Sequence, residues 1–335
     1  MRMTVEVPFK PYFERLSAFI EQQARYFEPE VREAALYVLG NRGKRMRPLL
    51  VFSSGWMPSD AVAEPLVRLG AIVEMLHIAT LVHDDVLDGA SLRHNRPTFH
   101  QRYGTAAAVL LGDVLVARLM ELTLDFEDRD IVRCVARAVR EICSGEITQT
   151  LRSPSNNPLT IDRYYRIIHL KTATLFEMCC RLGARVANYP NDFSQAAATF
   201  GRHLGVAYQI LDDVMDCVGD EKSSGKTLGT DLKNGKATLP FLILSQKLAS
   251  SNGVRVSDVQ LHQSMLMESG PELLVQQGVF QDVEAHFQRE ITVAEAALDP
   301  FEGVPPRPHL RDVAALVRGQ MTSVLKSPSI YAQRK

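Results

Sequence analysis

Twice in this chain a long apolar run without proline carries the string Asp-Asp-x-x-Asp near its end. Leu66 to Leu87 runs into Asp84-Asp85-Val86-Leu87-Asp88, and Phe193 to Val218 holds Asp212-Asp213-Val214-Met215-Asp216. Both runs are too long for strands, so each reads as a helix. On a helix, residues i and i+4 share a face with Cβ atoms about 5–6 Å apart. Asp84 therefore faces the same way as Asp88, and Asp212 the same way as Asp216. Like charges so placed destabilise a helix by a few tenths of a kcal/mol per pair. A hard divalent cation removes that repulsion, and Mg²⁺ prefers carboxylate oxygen, keeps several waters and completes its shell with phosphate. One such cluster reads equally well as a solvated helix end. Two in one chain favour metal.

The remaining segments have the same period. Val31 to Leu39 places Val31, Ala34, Ala35 and Val38 on one helix face. Thr105 to Leu124, Ile131 to Ile147, Ile161 to Val186 and Leu239 to Leu248 are also apolar and helical in pattern. Strand-like alternation is scarce. Breakers fall between the runs, at 41–43, 58–60, 153–158, 190–192 and 219–235. None is rich enough to divide the chain, so one all-α domain over residues 1–325 is expected, followed by a polar tail, Lys326 to Lys335. With 335 residues and 46% hydrophobic content, the chain can bury a sizeable core.

Charge and cysteine usage narrow the class. Basic and acidic residues number 38 and 39, a net charge of −1, which argues against bulk electrostatic binding to nucleic acid or an anionic membrane. No uncharged stretch approaches the roughly 18 residues of a spanning helix. The first residues, MRMTVEVPFKPYFERL, have no apolar core of a signal peptide. Cys134, Cys143, Cys179, Cys180 and Cys217 are odd in number and form no C-x-x-C pair. That fits reduced thiols and a cytoplasmic protein.

Cations that could hold an anion are dispersed. Gly43-Lys44-Arg45-Met46-Arg47-Pro48 suits a turn presenting Lys and Arg to phosphate. Arg93 and Arg96 follow the first aspartate cluster, and Lys171-Thr172 interrupts an apolar run. Lys226 and Lys236 flank a Gly-rich loop after the second cluster. No G-x-x-x-x-G-K-[ST] string occurs, so a nucleotide site is not supported. Carboxylates, Mg²⁺ and scattered Lys and Arg describe a site for diphosphates.

The strings GKRMRP, EMLHIATLVHDDVLD, ASLRHNRPT, GDVLVAR, GE-x-x-Q (Gly145 to Gln149), KTATLF, YQILDDVMD and GKTLGTDLKNGKATLP occur in this order. In them the chain resembles the trans-polyprenyl diphosphate synthases, close to the hexaprenyl-to-octaprenyl type, over roughly Arg15 to Leu248. The resemblance implies an all-α bundle of the isoprenoid synthase type around a deep central cavity, built as a homodimer. It implies head-to-tail addition of isopentenyl diphosphate to an allylic diphosphate, farnesyl or geranylgeranyl, giving a product whose long tail is expected to partition into membrane. By position, Asp84 and Asp88 would bind two Mg²⁺ and Asp212 a third, about three per site, with Asp85 and Asp216 supporting. Asp216 is counted among the metal ligands, and Asp85 and Asp213 among the catalytic residues. Arg93, Lys171, Thr172, Gln209, Lys226 and Lys236 would hold the allylic diphosphate, with Arg93, Lys171 and Lys226 also catalytic. Lys44, Arg47 and His77 would hold isopentenyl diphosphate. His83, beside an apolar run, reads as a core residue before it reads as a ligand.

One string departs from the family pattern. Where relatives carry Arg-Arg-Gly, this chain has Arg93-His94-Asn95. The second Arg normally helps hold isopentenyl diphosphate, so His94 takes its place, with Arg96 nearby as a substitute cation. A class I terpene cyclase also uses an Asp-rich motif, but it would need neither GKRMRP nor a second Asp-Asp-x-x-Asp. A phosphohydrolase built on His83-Asp84 would need further His ligands at helical spacing. A non-catalytic partner subunit would be expected to lack one motif. The residues four and five before Asp84, Thr80 and Ala79, are small, whereas large aromatics there mark short-chain members of the resembling family. Leu76 and Met75 lie one turn further on. The expected product is about six to eight isoprene units, taking one helical turn of about 5.4 Å per unit.

Overall fold

The computed structural model describes residues 7–40, 43–59, 63–151, 160–218, 238–252 and 273–326. Thirteen helices are named here in chain order: α1 (Lys10–Gln23), α2 (Pro29–Leu39), α3 (Met46–Ser54), α4 (Glu64–Leu87), α5 (Phe99–Tyr103), α6 (Thr105–Thr123), α7 (Arg129–Thr150), α8 (Ile161–Ile168), α9 (Thr174–Val186), α10 (Asn191–Val218), α11 (Leu239–Asn252), α12 (Val279–Ala297) and α13 (Pro306–Leu325). The all-α expectation holds. The exception is a two-residue hairpin, β1 (Leu92–Arg93) on β2 (Arg96–Pro97), with Arg93 opposite Arg96.

The apolar periods explain the helices, and polar residues set several of their ends. Pro29 opens α2, where a missing N–H costs nothing. Asp128 caps α7 by accepting from Asp130 N at 2.9 Å, and Thr160 caps α8 by accepting from Arg163 N at 3.3 Å. α9 lies along α10, α4 along α6, and α3 against both α4 and α9. One hydrophobic cluster runs through them from Phe9 to Met321. α4 is buried on nearly every side, from Leu66 to Asp85. It is long and apolar enough to span a membrane, the only such helix among the described residues, but most of it lies inside the protein.

Two local departures from the sequence reading matter for the site. Ile161 to Val186 reads as one helix, but a π-turn, His169–Ala173, interrupts it and contains Lys171 and Thr172. A π-turn inserts a residue into the helical ladder and re-aims the side chains around it. The hairpin was not legible either, because its turn is built from His94 and Asn95 at φ 52° and 60°. Two left-handed residues in succession are the signature of a type I′ turn, for which Gly is the usual choice and Asn the next. Arg47 also lies on α3 rather than in the preceding turn, whereas Arg45 occupies the turn at φ 49°. The polar tail falls outside the described residues beyond Lys326.

Candidate active site

α4 delivers the first motif and α10 the second. Asp84 lies in the last turn of α4, and Asp88 closes it, its N–H donating to Asp84 O at 2.8 Å. Asp212 and Asp216 lie one turn apart on α10. In both motifs the first and last aspartates are half-buried and the second is buried. Asp85 is 4% exposed and Asp213 3%. Asp85 accepts from Arg93 Nε at 2.8 Å, and Arg93 Nη2 stands 2.6 Å from the same oxygen. Burial raises the Asp85 carboxyl above the ordinary aspartate value, against the pull of Arg93. Asp213 accepts from Tyr164 Oη at 2.6 Å, from Gln209 Nε2 at 2.9 Å and from Leu239 N at 3.4 Å.

The π-turn sits between these motifs. Lys171 pairs with Glu146 and donates to Gln149 Oε1 at 3.4 Å. Burial opposes its charge, but Asp84, Glu146 and Asp88 outweigh that and hold the ammonium above the usual lysine value. Thr172 Oγ1 donates to Gln209 Oε1 at 2.7 Å, and Gln209 reaches Asp213. Gly145 makes the placement possible. A Cβ there would stand 2.9 Å from both Leu170 Cβ and Lys171 N, so only glycine lets α7 lie against the turn.

A second group gathers beside the first. A Cβ on Gly43 would lie 3.7 Å from His94 Nε2, which brings the hairpin tip to the loop before α3. Burial, followed by the charges of Arg47, Arg93 and His94, pushes the His77 imidazole well below its ordinary value. The candidate holders of the second diphosphate, Arg47, His77 and His94, thus cluster together, with Lys44 next to them in the chain. Arg96 is engaged elsewhere, its guanidinium 4.4 Å over the Tyr37 ring. Arg47 lies 5.5 Å from the centre of the Phe176 ring. His83 is not a core residue: it is half-buried, with Nε2 3.0 Å from Val109 O and 3.7 Å from Asp113 Oδ1, and the ring packs where Gly112 has no side chain. Lys226 and Lys236 lie outside the described residues.

Sequence reasoning missed three contributors. Glu74 is 5% exposed and faces Arg47 and Arg45. It sits one turn before His77, but an acidic residue in an apolar run gives no hint of its partners. Tyr164 and Glu146 were missed because their partners, Asp213 and Lys171, are distant in sequence. Down α4, Met75, Leu76 and Ala79 are buried, whereas Thr80 is half-buried and donates to His77 O at 2.8 Å. At about 100° per residue, His77 and Thr80 fall within about 40° of Asp84 and Ala79 lies about 140° round.

The donor chemistry fits a hard cation. Asp84, Asp88, Asp212 and Asp216 offer only oxygen. Among the described residues, no three His, Cys, Asp or Glu side chains close into a complete metal cage. Two carboxylates per motif leave the other positions to water and phosphate, as Mg²⁺ requires.

Comparison with known proteins decides the family. The family model for polyprenyl synthetase matches residues 28–263. The chain belongs to the polyprenyl synthetase family. It is 34% identical over 245 residues to the all-trans-nonaprenyl-diphosphate synthase (geranyl-diphosphate specific) of Rhodobacter capsulatus, covering 73% of this chain and 75% of that one. It is 30% identical over 300 residues to the octaprenyl diphosphate synthase of Haemophilus influenzae, covering 88% and 89%. The polyprenyl synthase of Caulobacter crescentus, crystallised with calcium and isoprenyl diphosphate, superposes with a TM-score of 0.81 at 28% identity, covering 95% of this chain and 97% of that one. This polyprenyl synthetase is a trans-prenyltransferase that elongates a prenyl diphosphate head to tail, and the fold is that of its relatives. The terpene cyclase and the non-catalytic subunit are not favoured by these relatives.

Proposed function

We propose that this enzyme adds isopentenyl diphosphate to farnesyl or geranylgeranyl diphosphate and stops at about six to eight isoprene units. Asp84 and Asp88 on one side and Asp212 and Asp216 on the other would hold about three Mg²⁺. One observation carries the reading. A single ammonium, Lys171, lies in the field of Asp84 and Asp88, while its neighbour Thr172 is tied through Gln209 to the second motif. The first motif and, through Gln209, the buried Asp213 of the second are thus both tied to one cationic turn, which supports the reading.

When bound, Mg²⁺ supplies positive charge that stabilises diphosphate as a leaving group. Lys171 and Arg93 add fixed charge to the same oxygens, so the allylic C–O bond can ionise. Arg47, His77, His94 and Lys44 hold isopentenyl diphosphate with its double bond toward the allylic carbon. His77, kept neutral by its surroundings, contributes a hydrogen bond rather than a charge. The apolar wall of α4 keeps water from the allylic cation, which would otherwise be trapped as an alcohol. After the new C–C bond forms, a proton leaves the isopentenyl C2, and the released diphosphate accepts it. No side-chain nucleophile is needed.

Two copies would pair through α6 and α7, where Val109 (42% exposed), Leu110 (63%) and Ile147 (56%) leave apolar surface outward. All five cysteines are thiols outside any disulfide, in keeping with a reducing cytoplasmic setting. The test is incubation with Mg²⁺, farnesyl diphosphate and isopentenyl diphosphate, then sizing of the dephosphorylated products. Asp84→Ala and Asp212→Ala are expected to fold but to turn over at less than about a tenth of the wild-type rate. A higher rate in either variant would end the metal assignment.

A further inference from the structure

Between α11 and α12 lies a cleft that the condensation reaction does not use. Its volume is about 630 Å³, within the range of small-molecule sites and far beyond the needs of a bare ion. Asp282, Ala285, His286 and Arg289 line it at i, i+3, i+4 and i+7, one face of α12. Ile243, Gln246 and Lys247 line it from α11 at i, i+3 and i+4, and Ile161 joins them from the first turn of α8. No residue placed above in the two diphosphate sites is among them. On α8 two consecutive tyrosines part ways. Tyr164 Oη goes to Asp213, and Tyr165 Oη stands 2.9 Å from His286 Nδ1. One tyrosine thus serves the second motif and the next serves the cleft.

The lining combines donors with apolar surface. Lys247 Nζ stands 2.7 Å from Asp282 Oδ2, so the one carboxylate of the cleft is already paired. A Cβ on Gly278 would lie 3.9 Å from the same nitrogen. The ammonium therefore sits at the N-terminal end of α12, where the helix dipole disfavours a cation and favours an anion. Arg289 is exposed, and among the described residues no acceptor takes its guanidinium. Burial, and then the charge of Arg289, push the His286 imidazole below its ordinary value. Burial and the charge of Glu290 push Tyr165 up to about 12, so its hydroxyl keeps its proton and can donate to His286 Nδ1. The neutral ring then carries its own proton on Nε2, a donor. Ile161, Ile243 and Ala285 are the apolar part of the lining. We propose that this cleft binds a small organic phosphate at a site separate from the active site. Lys247, Arg289 and His286 take the phosphate oxygens, and Ile161, Ile243 and Ala285 take the carbon part. Three donors carried by two helices suit the tetrahedral oxygens of phosphate better than the planar pair of a carboxylate.

The test titrates the full chain with hexyl phosphate, inorganic phosphate and hexanoate, with EDTA present so that metal-dependent diphosphate binding stays weak. Methyl NMR of the isoleucine δ1 groups reports where each probe sits. The signals of Ile161 and Ile243 are assigned by their loss in Ile161→Val and Ile243→Val, and Ile78, next to His77, serves as the reporter of the active site. Hexyl phosphate is expected to shift Ile161 and Ile243 with a Kd below about 1 mM, and to bind there at least about threefold more tightly than either of the other probes. Arg289→Gln and Lys247→Gln are expected to weaken it about tenfold each while turnover stays within about twofold of wild type. No shift at Ile161 and Ile243, or a shift at Ile78 alone, would overturn the proposal. So would wild-type affinity in both variants. Inorganic phosphate binding as tightly as hexyl phosphate would refute the part given to the apolar lining, and hexanoate doing so would refute phosphate as the ligand class.

Discussion

Replacing Thr80 by phenylalanine would put a ring into the cleft one helical turn below Asp84. The length of α4 gives the size of the effect. From Asp84 to the start of the helix at Glu64 is twenty residues, about 30 Å at 1.5 Å per residue. A ring at residue 80 or 79 stands about 6 to 7.5 Å down that path and closes off the last 22 Å or so, roughly four turns. At one isoprene unit per turn, a product of about six to eight units should shrink to about two to four. The two positions differ in their surroundings. Thr80 is half-buried and close to the Asp84 face, so a ring there meets little strain. Ala79 is 1% exposed, so a ring there must displace packed neighbours at about 1–3 kcal/mol, a few degrees in Tm. Both variants are expected to shorten the product, and only Ala79→Phe to lower Tm. Reversed-phase sizing of dephosphorylated products and a thermal melt decide the matter. If both variants make wild-type lengths, α4 does not line the path of the growing chain and the ruler is elsewhere.

His94→Arg is expected to lower KM for isopentenyl diphosphate and leave KM for the allylic substrate nearly unchanged, because Arg is always charged and can grip phosphate bidentately. An unchanged KM would remove His94 from that site. Gly145→Ala is expected to cost about 1–3 kcal/mol, since its Cβ would lie 2.9 Å from Leu170 Cβ and Lys171 N. It should also depress kcat well beyond the loss of folded protein, and wild-type kcat in a folded variant would refute the role given to the π-turn. Burial holds His77, His169, His286 and His309 below the ordinary histidine value. The unfolded chain then takes up more protons than the native one as pH falls, so stability is lost below about pH 6.5. Urea midpoints at pH 7.5, 6.5 and 5.5 should decline, less steeply in His77→Gln, and identical slopes in the two proteins would count against His77 as a buried neutral group.

What could be read before the fold was known follows the range of the interaction. Helix identity depends on periodicity within a few turns, so α4, α6, α7 and α10 were legible to within two or three residues at each end. The aspartate motifs were legible for the same reason, since the i, i+4 pairing is a property of one helix. The π-turn was not, because Lys171-Thr172 interrupts the apolar run without a Gly or Pro to mark a change of backbone, and the turn's side chains meet partners elsewhere, Glu146 on α7 and Gln209 on α10. The hairpin was hidden by its turn. His94-Asn95 lacks the glycine that marks such turns, and only Asn tolerates the left-handed conformation well.

The departure at His94 gains meaning from that geometry. A family-type Arg at this place would take the same left-handed backbone, at φ 52° here. The difference between the two residues lies in reach and charge at the tip of the hairpin. His94 already touches the loop at Gly43 and enters the field of His77, so its ring occupies the place from which a longer side chain would reach the same diphosphate. Arg96 does not substitute for it, because Tyr37 holds its guanidinium at 4.4 Å and in turn donates to Pro97 O at 2.8 Å. The cationic charge of the proposed second diphosphate site would therefore rest on Arg47 and Lys44. Of these, Arg47 shares its surroundings with the buried Glu74. In the proposed site isopentenyl diphosphate would be held with less net positive charge than with Arg at residue 94, and its release before condensation should be correspondingly fast. His94→Arg should slow that release, which pre-steady-state trapping of bound isopentenyl diphosphate would measure directly.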